Sequence, residues 1–144
     1  MARASIGKGA PMKQQGAVLA MMLTAVSLPP CPSSPNCVST LATDSHAIAP
    51  LRYTSTQEEA LQRLLAVLRA IPRTTIIESG HDSVRAEFRT RIFRFVDDAQ
   101  FVFDQKAKTI HFRSASRIGY SDMGVNRRRM EEIRQAFDEP DARR

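Results

Sequence analysis

Apolar positions along the chain change period several times, and each change marks an element. Leu61, Leu64, Leu65, Leu68 and Ile71 recur at helical spacing, which predicts an amphipathic helix with one buried face. Ser55-Thr56-Gln57-Glu58 stands before it as a capping box, in which side chain and backbone satisfy each other's free N–H groups. Pro72 stops the helix, because proline has no N–H to give and crowds the preceding turn. From Thr74 the period falls to two. Thr74 to Ser79 is β-branched and short, and Ser79-Gly80-His81-Asp82 is a turn. Val84, Ala86 and Phe88 alternate with Arg85, Glu87 and Arg89 in a half-buried strand.

The apolar phase then moves from even to odd positions between Phe88 and Phe93. A one-residue slip exchanges the faces of a strand, so a bulge or turn is expected near Thr90. Phe93 and Phe95 continue in phase with Phe101 and Phe103, with Asp97-Asp98 between them at a strand end or turn. After the polar link Asp104 to Lys108, Ile110, Phe112 and Ser114 alternate with His111, Arg113 and Ala115. A second helix follows Ile118 to Asp122, capped by Ser121 or Asp122, with Asn126, Met130, Ile133 and Phe137 on its buried side. Arg127 and Arg128 face Glu131 and Glu132 at i+4. The order predicts an α+β fold: an antiparallel meander sheet of about four strands with two helices packed on one face. The core is placed at residues 51–138, with a charged tail at 139–144.

The N-terminus reads as an address. Arg3, Lys8 and Lys13 precede Gly16 to Leu28, an uncharged apolar run ending near the small-residue site Ala25-Val26-Ser27. That is the pattern of a secretory signal peptide over residues 1–27, and 16–28 is short for a bilayer-spanning helix. An uncleaved run would instead tether the domain to a membrane. Export places the domain in the periplasm or on the envelope. Residues 28–50 are rich in Pro, Ser and Thr and predict an extended arm. The chain has 144 residues and a net charge of +6, but three of its basic residues lie in the expected signal. What remains is mildly basic, with Arg alternating with Asp and Glu, which argues against a nucleic-acid partner. No cofactor motif is present.

Several segments carry a family likeness. They are Cys31-Pro32-Ser33-Ser34-Pro35-Asn36-Cys37-Val38-Ser39, His46-Ala47-Ile48-Ala49-Pro50-Leu51, Phe88 to Asp98, and Arg113 to Asp122 with Gly124-Val125-Asn126-Arg127-Arg128. Together they resemble the bacterial and plastid family known as domain of unknown function 1499, from Cys31 to Phe137. The resemblance implies an N-terminal export or membrane segment, in keeping with the apolar run, and implies no activity.

Two groups of residues carry candidate chemistry. Cys31 and Cys37 are separated by five residues in a proline-held loop, which in an oxidising compartment suits a disulfide. Held reduced, Cys37 with His46 and Asp44 (or with His111) supplies the residue types of a thiol-dependent or hydrolytic enzyme. A metal site would have to draw on the same Asp44 and His46 and lacks zinc spacing. The second group is Arg113, Ser116, Arg117, Tyr120, Asp122, Asn126 and Arg127, with His46 added from the arm. Arginines beside a helix N-terminus suit an anionic ligand. The same residues equally suit structural duties: Asp122 capping the helix, Arg117 paired with Asp97 or Asp98, Asn126 satisfying buried backbone. The function expected is a non-catalytic binding or scaffold module of the envelope, with an anionic ligand or envelope protein as partner. The enzyme built on Cys37, His46 and Asp44 is the alternative.

Overall fold

The computed structural model describes residues 7, 9 and 25–139. The expected signal segment therefore lies almost wholly outside the described residues, as do residues 140–144 of the tail. Among the described residues no helix is long and apolar enough to cross a membrane.

The elements run β1 (Cys37–Ser39), β2 (Leu51–Arg52), α1 (Gln57–Ala70), β3 (Thr74–Ser79), β4 (Ser83–Arg89), β5 (Val96–Asp104), β6 (Thr109–Ser116) and α2 (Val125–Asp138). The class is α+β, as expected, but the sheet has six strands rather than about four. Strands β3 to β6 pair antiparallel, each with the next. The arm supplies the other two. β1 pairs with β6 along Cys37↔Ala115 to Ser39↔Arg113, and β2 pairs with β6 farther along at Leu51↔Ile110. Both are too short to show a period, so the arm's strands are invisible to the hydrophobic pattern.

Both helices cover one face. Val84, Ala86 and Phe88 of β4, Phe101 and Phe103 of β5, and Ile110 and Phe112 of β6 meet Leu61, Leu64 and Leu68 of α1 and Met130, Ile133 and Phe137 of α2 in one core. Phe88, Phe101, Phe112 and Phe137 are almost completely buried. Each contributes roughly 1.5–3 kcal/mol relative to exposure. The opposite face is wet and carries Arg85, Glu87, Asp98, Gln100, Arg113 and Arg117.

Two local expectations are corrected. The cap of α1 is Thr56, not Ser55: Thr56 Oγ1 accepts from Glu59 N and Glu59 Oε2 accepts from Thr56 N. Ser55 and Thr56 both have Glu three residues on, and the pattern alone does not choose between them. Phe93 and Phe95 are not strand residues. Thr90 N donates to Phe95 O and Phe95 N donates to Thr90 Oγ1, which closes a loop over 90–95. Asp97 and Asp98, expected at a strand end or turn, are the second and third residues of β5 and lie on opposite faces.

The arm is fastened by α2. Arg127 donates to Ser45 O and Ala47 O, and Arg134 donates to Pro50 O and Ala49 O. The two arginines are seven residues apart and so share one side of the helix. The Arg127–Glu131 and Arg128–Glu132 pairs expected from spacing are not made. Arg128 donates to Met123 O, and Glu131 pairs with Arg134.

Candidate functional site

The sequence-derived candidates fall into three places rather than one. Arg113 and Arg117 stand on the wet face of the sheet. Arg117 donates to both oxygens of Asp98 and to Glu87 Oε1 at 2.7–3.0 Å, and these two acids raise its pKa further. Arg113 Nη2 reaches Pro30 O at 3.4 Å, and burial lowers its pKa.

The second place is the arm loop. Cys31 and Cys37 form a disulfide. His46 sits beneath it between two acceptors: Nδ1 is 2.8 Å from Asp44 Oδ1 and Nε2 is 2.9 Å from Ser34 O. A carbonyl and a carboxylate both require N–H, so the doubly protonated ring fits best. The Ser34 carbonyl first, then Asp44, raise the His46 pKa against the opposing effect of burial. The backbone N–H of His46 and then its ring hold Asp44 below the usual carboxylate range. With Sγ of Cys37 bonded to Cys31, the thiol alternative has no nucleophile in this state. His111 is no substitute partner: Cys37 registers with Ala115, four residues along β6, and His111 Nδ1 contacts Thr40 Oγ1. Among the described residues no group of three or more His, Cys, Asp or Glu side chains is gathered for a metal.

The third place is the junction of β6 with α2. Asn126 is fully buried. Its Oδ1 accepts from Ser114 Oγ at 2.6 Å, and its Nδ2 donates to Asp122 Oδ2 at 2.8 Å and Ser116 Oγ at 3.0 Å. Gly124 is the residue preceding α2 and has φ 78°, a conformation glycine takes without penalty. It has no side chain to cap with. Asp122 does so from two residues upstream, accepting from Gly124 N and Asn126 N. Burial pushes Asp122 up, but those bonds outweigh it and keep its carboxyl below the usual range.

These polar residues form one wall and the floor of a groove of about 470 Å³ that pattern reading did not find. Its sides are the 90–95 loop and the 117–124 loop, with Ile92, Phe93, Phe95, Ile118, Met123 and Val125 along the lining and Ser116, Asp122 and Asp97 below. Large apolar side chains are exposed here: Ile92 80%, Phe93 74%, Ile118 61% and Met123 85%. Tyr120 projects from the same loop. Phe93 and Phe95 stack on each other, 5.5 Å between centroids. Arg94 and Met123 both take left-handed backbone, at a cost of roughly 1–2 kcal/mol each. Asp97 is 2% exposed and lies 2.9 Å from Arg129 Nη2, without good hydrogen-bond alignment at Oδ2. The Arg129 guanidinium also lies over the Phe88 ring at 4.5 Å. An apolar cleft with a few convergent polar groups is the usual form of a binding site. A sequence signal existed: residues 89–95 interleave three arginines with three large apolar residues and contain no acid, unlike the rest of β4 and β5.

Of the predicted residues, the groove gathers Ser116 and Asp122 along its lining, with Asn126 directly behind. It does not include Arg113, Arg117, Arg127 or His46. Residues 27–137 match the family described as protein of unknown function (DUF1499). No curated protein and no solved structure matches. The match spans most of the chain, with the arm, the disulfide loop and both groove loops inside it, and the chain belongs to the DUF1499 family.

Proposed function

We propose that this chain is an exported, non-catalytic binding or scaffold module of the cell envelope, and that the groove between the 90–95 and 117–124 loops is its binding surface. The observation that carries this is the exposure of Ile92, Phe93, Ile118 and Met123 around one concavity with a polar floor. Monomeric proteins seldom leave a contiguous apolar patch open without a use for it. The disulfide accords with an oxidising compartment. The arginines of the anion reading, Arg113, Arg117 and Arg127, are already bonded to protein acceptors. An anionic partner is better served by Arg91 and Arg94 on the exposed loop.

The test uses anilinonaphthalene sulfonate, an apolar dye with one negative charge, and the chain carrying Phe93→Ser with Ile118→Ser. Both positions are exposed, so the far-UV spectrum stays as it is. Dye fluorescence falls severalfold in the variant if the groove binds. Equal fluorescence in the two chains refutes the groove as the binding surface.

A further inference from the structure

On the basis of the groove as binding surface, we propose that its occupant is the surface of an anionic lipid bilayer, into which the 90–95 and 117–124 loops insert their apolar side chains. Four observations converge on this.

The first is the chemistry of the tips. Ile92, Phe93, Ile118, Tyr120 and Met123 are all more than half exposed and come from two loops at one end of the sheet. Apolar and aromatic side chains at a polar boundary are the residues that settle at headgroup level.

The second is the direction of the charges. Arg91 and Arg94 of the 90–95 loop are exposed, and among the described residues neither forms an ion pair. The two acids of the groove floor are engaged within the protein. Asp97 is buried against Arg129, and Asp122 is occupied by Gly124 N, Asn126 N and Asn126 Nδ2. The groove edge thus offers uncompensated positive charge beside apolar surface, the complement of anionic headgroups over acyl chains. A neutral apolar peptide would gain nothing from Arg91 and Arg94.

The third is the state of the floor. The polar groups beneath the groove are bonded to one another, and the loops are closed by their own hydrogen bonds at Thr90–Phe95 and Asp122–Gly124. The apolar tips are held outward on a rigid base, so insertion needs little reordering.

The fourth is the attachment of the chain's N-terminal part. The apolar run ends at Leu28, three residues before Cys31. Cys31 is bonded to Cys37, and Asn36 of that closed loop donates to Gly119 O at 2.6 Å and accepts from Ser116 N. The disulfide loop that ends this segment therefore abuts the groove's wall, while Leu28 to Cys31 themselves lie against Ser39 and Leu41 to Asp44.

The chain contains no Trp, so a single introduced indole reports its surroundings without background. Phe93→Trp in the full chain places it at the tip, and Ile77→Trp places it on the wet face of the sheet as a control. Each is mixed with phosphatidylglycerol-containing vesicles carrying brominated acyl chains. The expected result is a blue shift and quenching for Phe93→Trp and neither for Ile77→Trp, even where the N-terminal run binds both proteins to the vesicles. Adding Arg91→Gln and Arg94→Gln to Phe93→Trp lowers the ratio of inserted to free loop about thirtyfold, the effect of two surface arginines at an anionic membrane. Emission from Phe93→Trp that vesicles leave unchanged overturns the proposal. If the dye still distinguishes Phe93→Ser with Ile118→Ser from the parent, only the bilayer is refuted and groove binding stands. A blue shift that appears without lipid and grows with protein concentration also overturns it, in favour of a second copy of the chain.

Discussion

Asn126 is the residue whose replacement tests the polar cluster most directly. In Asn126→Leu the branched heavy-atom skeleton is the same and the backbone N–H that Asp122 accepts is kept. What disappears is the acceptor for Ser114 Oγ and the donor to Asp122 and Ser116. Ser114 is fully buried, so its hydroxyl is stranded at a cost of about 1–3 kcal/mol. The half-buried Asp122 carboxylate loses one charge-assisted bond, worth about 1.5–3 kcal/mol. Burying leucine in place of an amide returns roughly 1–2 kcal/mol. The net loss centres on about 3 kcal/mol, a Tm drop of roughly 12 °C for a domain of this size. The assay is urea unfolding followed by far-UV circular dichroism. Adding Ser114→Ala removes the stranded hydroxyl and restores about 1–2 kcal/mol, a coupling that a simple packing defect would not show. An Asn126→Leu protein within about 0.5 kcal/mol of the parent refutes the assignment of Asn126 as the organiser of this junction.

The Cys31–Cys37 disulfide closes a short loop, with a sequence separation of 6, so reduction costs about 2 kcal/mol by loop entropy, readable as a lower Tm in reductant. The His46–Asp44 pair gives a pH window. The raised His46 pKa makes its contribution full below the unfolded value of 6.5 and lost as pH climbs through the folded value, while the lowered Asp44 pKa makes its contribution full above 3.8 and lost as pH falls through the folded value. The stability difference between parent and His46→Ala is therefore greatest between those values and shrinks on either side; a difference independent of pH from acid to alkaline would contradict the geometry. Arg117→Ala leaves stability almost unchanged, because solvent screens its half-exposed ion pairs, and what difference there is fades in roughly 0.5 M salt.

The parts of this fold that the pattern of residues reveals are those where burial follows a period. α1 shows its leucine stripe, and β4 and β6 show their alternation, because each has one face on the core and one in water. The arm shows nothing of the kind. β1 is three residues long and is held by register with β6, and the stretch after it is held by the Ala47 and Pro50 carbonyls that Arg127 and Arg134 reach from α2. A backbone carbonyl is an acceptor at every position, so its partner leaves no mark in the sequence, and Arg127 is read as an anion ligand instead. The cluster around Asn126 is half legible. Spacing puts Asn126 on the buried stripe and Asp122 near the helix start, while the convergence of Ser114 and Ser116 depends on the strand's facing.

Phe93 and Phe95 mark the point where the inference from alternation fails, and the cause bears on function. Alternating apolar residues predict a strand because burial is assumed to supply the free energy that fixes them. Here the spacing is kept while burial is absent: a hydrogen-bonded loop holds both rings outward, stacked on each other beside Arg94. Exposed aromatic area is unfavourable in water, so it does not account for the loop's conformation. That conformation rests on the Thr90 closure and on the Asp97–Arg129 pair at the base of β5. Removing one member of that pair strands a buried charge, at a cost of about 3–5 kcal/mol. The stability of the domain and the apolar character of its loops are thus carried by different residues. Ile92, Phe93, Ile118 and Met123 can each be made polar at little cost to folding, and what such changes remove is contact with whatever the groove receives.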